Sequence, residues 1–507
     1  MKWDNDDVMD IFNNLLSGFE TLFAPFTLLM CALGGLLGTL IGVLPGLGAT
    51  SALAILLPLT TQMNAIDSII LLCGVFMGTF YGSSTTSILL NTPGQPASVP
   101  VTRDGYSLAR IGKAGTALVI CGVASFIGGT MAIIVLTFFA PALAQVAIHV
   151  GPPEYFAILV AALMLVLSLA GKSMSKAFIT ALVGFVIYLI GMDPVSGLPR
   201  LTFGFDFLLG GINFIPVLIG LYAISEILIN FTDNRGGVLY QKVGKLYPTW
   251  KELRRIVLPA TRGGLIGTGI GVVPGGSAAA AAFVGYEVEQ RVAKDKSMFG
   301  KGETRGIASS ESANNAATGG AMIPLFTLGI PADPAIAVLL GALIIQGATP
   351  GPTFFSDHSE LAWGIIASLY VANVILLILN VPLVGMWASI IKVPYPVLAS
   401  IVLVVCTIGS YAVRNSMIDV ISMLIFGVLG YAMRKIEFPM EPLVLTLILA
   451  PIINPAFIQS LAMSNGDPSI FVTRPFALLF FVIAAALLFF SLRSRKRQRL
   501  VSQIEEH

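Results

Sequence analysis

Two stretches of this 507-residue chain nearly repeat one another: Gly34 to Gly46 reads GGLLGTLIGVLPG, and Gly263 to Gly275 reads GGLIGTGIGVVPG. Ten of the thirteen positions are identical at an offset of 229, with Gly, Thr and Pro in register. A looser match at an offset of 235 sets ILLNTPGQPA (88–97) against IPLFTLGIPA (323–332), six of ten identical. Shared apolar composition does not align Pro and Gly in this way, so the chain reads as two homologous halves, 20–230 and 250–460. Each copy of the motif interrupts an apolar segment. Proline removes a helix hydrogen bond and glycine loosens the backbone.

Such interruptions matter most in lipid, and composition places the chain there. It is 56% hydrophobic and 11% charged, where a soluble domain carries roughly 25% charged residues. Pro475 to Leu492 carries no charge and reaches the length of about 18 residues at which an apolar run spans a bilayer. The expected fold is an all-α polytopic membrane protein of roughly 10–12 transmembrane helices. Freed amides and carbonyls are tolerated there only inside protein or beside a wet cavity. Each motif therefore reads as a re-entrant helix hairpin, turning at Pro45-Gly46 and at Pro274-Gly275.

The same composition excludes other classes. Cys31, Cys73, Cys121 and Cys406 lie far apart in apolar stretches, so neither a disulfide framework nor a CxxC metal site is expected. Histidine occurs three times (His149, His358, His507), which speaks against zinc or haem and against a Ser/His catalytic arrangement; the chain does not read as an enzyme. Net charge is +2 with the basic residues confined to a few loops, giving no support to nucleic-acid binding. The opening MKWDNDDVMD is acidic, so no cleaved secretory leader is expected.

Loop charge orients the chain, because Lys and Arg gather on the cytoplasmic side. The tail after Leu492 holds Arg493, Arg495, Lys496, Arg497 and Arg499, and the segment 231–262 holds seven basic residues against Asp233 and Glu252. Both are placed inside, with Arg103, Arg110, Lys113, Lys172, Lys176, Lys392, Arg434 and Lys435. His149, Glu154, Asp193, Asp206, Asp357, Glu360 and Asp467 fall outside, and Arg414 is the one poor fit. The expected order is an amphipathic segment (1–19), a first repeat (20–230) and a basic cytoplasmic loop (231–262). A second repeat (263–460), a final transmembrane helix (461–492) and a basic cytoplasmic tail (493–507) follow. The N-terminus falls on the periplasmic side, and the two repeats are inverted with respect to each other.

Inverted repeats with broken helices in matching positions mark secondary transporters. The half-helix N-termini offer N–H groups and positive dipole ends to an anion, here around Pro45, Gly46, Leu47, Gly48 and around Pro274, Gly275, Gly276, Ser277. The competing reading of the same glycines is close helix packing. Polar runs lie beside both motifs: Tyr81 to Ser87 with Asn91 to Gly94, and Ser309 to Asn315 with Thr327 to Pro331. Ser83, Ser84, Thr85, Thr86, Ser87, Asn91, Thr92 and Asn314 are assigned to an anionic substrate. Glu311, Ser312, Asn315 and Thr327 are assigned to a coupling ion, Na+ or H+, with no other metal or cofactor. An ionisable residue in a spanning segment is functional by default; Glu311 could carry a proton, bind a cation, or pair with Arg305. Glu226 reads as interfacial, and Arg103 and Asp104 as a gate or as ordinary loop charges.

These motifs resemble those of the large membrane subunit of the tripartite tricarboxylate transporters, the TctA family. The resemblance covers nearly the whole chain and rests on GTLIGVLPGLGATSALAILLPLT (38–60), GTFYGSSTTSILLNTPGQPASVPVTRDGY (78–106), GTGIGVVPGGSAAAA (267–281) and SSESANNAATGGAMIPLFTLGIP (309–331). It implies a secondary carrier of the bacterial inner membrane, working with a small four-span membrane subunit and a periplasmic solute-binding protein. Citrate and related di- and tricarboxylates are the implied cargo, and sodium-coupled symport the implied mode. Fold-level analogy with other carboxylate carriers adds an elevator-like motion. The alternative is a carboxylate channel or facilitator using the same hairpins.

Overall fold

The computed structural model describes residues 5–44, 46–148, 150–169, 173–193, 197–232, 247–383, 385–387, 395–486 and 488–489. Several sequence assignments lie outside these residues: Pro45, His149, Lys172, Lys392, the stretch 233–246 and the tail 493–507. The described chain is helical apart from loops and one antiparallel pairing of Gly191–Met192 with Pro199–Arg200. Eight of its helices are long and apolar enough to cross a membrane, and five apolar helices are shorter. The protein is an all-α polytopic membrane protein. Contacts divide it into two units, Met1–Gln145 with Tyr222–Ser416, and Val146–Leu221 with Met417–His507.

The first unit contains both motifs, and each is followed by the same order of helices. In the first half these are α1 (Pro25–Gly42), α2 (Ala49–Thr60), α3 (Ala65–Leu90), α4 (Val99–Arg110) and α5 (Ala114–Ala147). In the second they are α6 (Trp250–Gly271), α7 (Ala278–Val292), α8 (Thr304–Leu328), α9 (Pro334–Ile345) and α10 (Ser359–Asn380). Helix length supports the hairpin reading: the 12 residues of α2 rise ~18 Å, short of the ~30 Å hydrocarbon core. In α6 the apolar part begins only at Gly263, because Arg255 and Arg262 pair with Glu303 (2.9 Å) and Glu289 (2.7 Å). From there to Gly271 the helix rises only ~12 Å.

Helix α6 begins earlier than the charge pattern implies. Thr249 caps it, its side chain accepting from the Glu252 amide while Glu252 accepts from the Thr249 amide (2.7 Å). This reciprocal cap satisfies two amides that the first turn leaves open, so 250–262 is helix rather than loop.

Within each half the outgoing hairpin helix and the long helix after it are parallel and meet backbone to backbone. A Cβ placed on Gly34, Gly38 or Gly42 of α1 would lie 2.3–2.4 Å from the carbonyl oxygens of Leu71, Val75 and Thr79 of α3. On Gly263, Gly267 or Gly271 of α6 it would lie 2.1–2.3 Å from those of Ser309, Ala313 and Ala317 of α8. The motif glycines thus serve close packing, as small residues do between membrane helices. Only the Pro-Gly pair and its neighbours form the turn.

This seam corrects the alignment of the halves. It makes Leu71 equivalent to Ser309, Val75 to Ala313 and Thr79 to Ala317, an offset of 238. Left-handed residues terminate both long helices at the same offset, Asn91 (φ 54°) and Gly329 (φ 63°). The connection to the next helix is three residues shorter in the second half, which restores the offset of 235 at Pro96 and Pro331. The polar runs at 81–87 and 309–315 therefore occupy different heights on equivalent helices.

The long helices of the two halves run antiparallel. Ser84 of α3 lies beside Glu311 of α8, whereas Phe76 and Met77 share a small void with Thr318, Gly319 and Met322. Numbering rises along one helix as it falls along the other. Since α1 runs parallel to α3 and α6 to α8, the two hairpins enter from opposite ends. Their outgoing helices stop near Thr79–Gly82 of α3 and Ala317–Gly320 of α8, close to the middle of each.

The second unit has a different interior. Gly184 meets the Leu443 carbonyl and Gly220 the Met423 carbonyl, at 2.3 and 2.4 Å from an added Cβ. Phe156, Phe457, Phe471 and Phe481 form an aromatic cluster with centroids 5.1–6.1 Å apart. Arg474 approaches the buried Glu154 at 3.5 Å.

Candidate functional site

The polar runs come together where α3, α5 and α8 cross. Glu311 is 1% exposed; its Oε2 accepts from Ser125 Oγ of α5 at 3.4 Å, and its Oε1 has no hydrogen-bond partner. Asn315, one turn on, donates from Nδ2 to Ser125 Oγ (2.8 Å) and to the Glu311 carbonyl (3.1 Å), leaving Oδ1 without a partner. The Ser84 hydroxyl is buried beside the carboxyl and also lacks one. Asn314 is fully buried with neither amide atom satisfied. Most buried polar groups in proteins find a partner, and orphans call for a water, an ion or a ligand. Arg305 does not supply the counter-charge: it pairs with Glu303 at 3.6 Å and lies over Phe299.

Around this cluster the α3–α5–α10 contact is closed by amide bonds. Tyr81 donates to Asn373 Oδ1 (2.6 Å), and Asn373 Nδ2 donates to Phe126 O and Thr130 Oγ1 (both 3.0 Å).

The hairpin turns use φ values that favour glycine, +87° at Gly46 and +80° at Gly275. At the first turn the Gly46 backbone lies against the side chains of Glu226 and Asn230. Glu226 is buried rather than interfacial, and it accepts from Asn230 Nδ2 at 3.0 Å. Gly48 is the N-cap of α2 and provides no side-chain cap, so the first-turn amides lack one as a partner. At the second turn Gly275 N–H donates to Ala332 O (2.8 Å), Gly276 N–H to Val273 O (2.7 Å), and Ser277 Oγ accepts from the Ala280 amide. At the first turn, too, an internal bond forms, Leu47 N–H donating to Leu44 O (3.3 Å).

Each short helix also ties itself to the far hairpin. In α4, Asp104 Oδ1 accepts from the Gly302 and Glu303 amides (both 2.8 Å), and Oδ2 from the Tyr286 hydroxyl (2.7 Å). Burial pushes this carboxyl above its ordinary value, against the pull of those hydrogen bonds. Just past α9, Gln346 donates to Thr60 O (3.0 Å) and Ser68 Oγ (3.1 Å). Asp104 is therefore a buried cap rather than a loop charge.

The sequence profile of the Tripartite tricarboxylate transporter TctA family matches residues 28–445. The chain belongs to the TctA family. TctA proteins are transport proteins, and two uncharacterized proteins of Agrobacterium vitis are similar to this one. A 52.8 kDa protein of the TAR-I ttuC' 3' region is 39% identical over 501 residues, 98% of this chain and 100% of its own. A protein of the TAR-II ttuC' 3' region is 39% identical over 239 residues, 46% of this chain and 99% of its own. No solved structure matches.

In this TctA chain the remaining assigned residues separate by what their polar atoms already do. Ser83 donates to Phe80 O (2.9 Å) and accepts from Gln95 (3.2 Å). Thr86 and Ser87 donate back to Ser83 O (3.1 and 3.0 Å), and Thr85 is buried. Ser312 donates to Ala260 O (2.5 Å) and Thr327 to Ile323 O (2.8 Å). Asn91 is exposed at the end of α3, and Thr92 donates to Leu90 O (3.3 Å). Leu47 is buried in the turn, and Pro274 stands half-buried beside Gly275. Ser125, Asn373 and Gln95 belong with the site but were not assigned from sequence. Ser125 is a single hydroxyl in an apolar span, and only the crossing of α5 over α8 distinguishes it.

Proposed function

We propose that this chain is the large membrane subunit of a secondary uptake system for a di- or tricarboxylate such as citrate, driven by a cation gradient. It sits in the bacterial inner membrane with its C-terminus in the cytoplasm. A small four-span subunit accompanies it, and a periplasmic binding protein delivers the substrate. The observation that carries this reading is the pair of antiparallel long helices with hairpins entering from opposite ends. Parts related in this way exchange roles between the two faces of a membrane, which is the basis of alternating access.

The substrate contacts are the amides at the start of α2, around Gly46 and Gly48, with Asn314 and the Ser83–Ser87 face of α3. The turn at Gly275–Ser277 joins them when its internal hydrogen bonds are released. Neutral amide and hydroxyl donors suit a carboxylate, and a helix N-terminus adds its dipole.

The test is uptake of labelled citrate into proteoliposomes holding the complete three-component system, under an imposed sodium or proton gradient. Accumulation against the citrate gradient under one of them is expected. Flux that only dissipates the citrate gradient, indifferent to both ions and to the binding protein, would instead establish the channel reading.

A further inference from the structure

We propose that Glu311 and Asn315 of α8, Ser125 of α5 and Ser84 of α3 form a site for one dehydrated sodium ion. This deepens the reading of the chain as a cation-driven carrier and rests on it. The four side chains meet at one crossing, at 1% exposure for Glu311, Asn315 and Ser125 and 2% for Ser84. A carboxylate buried in a spanning bundle needs a compensating positive charge, and Arg305 of the same helix is engaged with Glu303.

The donor set selects a monovalent cation, and sodium is the one that the proposed coupling supplies. Glu311 Oε1 and Asn315 Oδ1 lack a hydrogen-bond partner, Ser84 Oγ is turned to the carboxyl without a close bond to it, and Ser125 Oγ bridges Asn315 and Glu311. All are hard oxygen ligands, and together they carry a single negative charge. Divalent calcium and magnesium are held by more carboxylate or by retained water; one carboxylate among neutral oxygens balances a monovalent ion. A proton on Glu311 would also cancel the charge, but it makes one new hydrogen bond and leaves the other oxygens unmet. Ser312 and Thr327 are outside this set, because their hydroxyls serve Ala260 and Ile323.

The site also explains how ion and substrate are linked. Glu311, Asn314 and Asn315 lie three and four residues apart, on one face of α8. With the ion bound the carboxylate is neutralised, and the unpartnered Asn314 amide can receive an anion beside it. Without the ion Glu311 repels that anion, so sodium binds first.

The experiment is equilibrium binding of radioactive sodium to the purified full chain without substrate, with thermal unfolding in sodium against potassium salt as a second reading. Wild type should bind sodium saturably and unfold at a higher temperature in its presence. E311Q, S125A and N315A should each weaken binding by at least about tenfold, as loss of metal-site contacts typically does. Cys73→Ser, at the position equivalent to Glu311, should bind as wild type. Should E311Q fail to yield monodisperse protein, S125A and N315A carry the test. Sodium binding absent from wild type, or equal in all three variants, overturns the site. Uptake that follows a proton gradient in a protein that binds no sodium overturns it while leaving the carrier reading intact. Sodium binding lost as expected, in a system whose uptake follows no ion gradient, upholds the site and removes the carrier reading.

Discussion

Around Ser84 and Glu311 the interior of the first unit is polar, whereas the positions equivalent to them in the opposite halves are Met322 and Cys73. Near those a small void is lined mainly by apolar side chains, Phe76, Met77, Ile133, Met322 and Leu369, with Thr318 as the polar exception. The backbone repeats across the two halves, down to the glycine seam and the left-handed helix ends, but the side chains filling it do not. Because the polar runs stand at different heights on equivalent helices, antiparallel crossing brings them together once rather than twice. Duplication supplied the symmetric frame, and unequal substitution within it left one buried polar cluster at this crossing among the described residues.

The comparison breaks most visibly at the seam. Gly267→Leu places a side chain where a Cβ already lies 2.1 Å from a backbone oxygen, whereas Gly269 on the same helix has nothing within 4 Å. Overpacking against backbone should destabilise Gly267→Leu by about 3 kcal/mol or more, seen as lost monodisperse yield, with Gly269→Leu near wild type. Equal yields would mean that the seam does not position the hairpin. Next in size is the pair of ties. Asp104→Ala removes three hydrogen bonds to a buried carboxyl and should cost about 2–3 kcal/mol, and Gln346→Ala about 1 kcal/mol. Thermal unfolding of both variants ranks them, and the reverse order would contradict the charged tie being the stronger.

Asn314→Leu sharpens the contrast between stability and transport. Replacing an amide whose two polar atoms are buried without partners should leave the protein as stable or up to about 2 kcal/mol more so. Citrate uptake should fall at least about tenfold, the effect expected of the substrate contact proposed for this amide. A variant destabilised in step with its uptake would make Asn314 a structural residue. The smallest effect belongs to a hydroxyl bonded within its own helix and outside the site: Thr327→Val should stay within about 0.5 kcal/mol and transport citrate as wild type does.

Much of the frame could be read before any coordinates. Two Pro-Gly interruptions in apolar sequence with few charges leave little besides re-entrant hairpins, because lipid forbids an unsatisfied break. The register was harder. Thr92 and Gly94 align with Thr327 and Gly329 in sequence, yet Thr327 lies inside α8 and Thr92 beyond the end of α3; a three-residue change in the connection hides the slip. Thr249 and Glu252 carry a capping signature that could have started α6 at its observed place, but the surrounding charge masked it. At the site, Glu311 and the two asparagines stand out as polar residues in an apolar setting. Ser125 does not, because what makes it matter is a neighbour 186 residues away.

The backbone contact along the glycine seam has a mechanical meaning. Helices separated by long side chains can slide by changing rotamers, but α1 on α3, and α6 on α8, have no such slack over three successive turns. Each hairpin and its partner helix must travel as one stiff lever. Whatever opens a path to either side of the bilayer is then a pivot of whole levers or a bend confined to the Pro-Gly elbows, not a shift of one helix along the next.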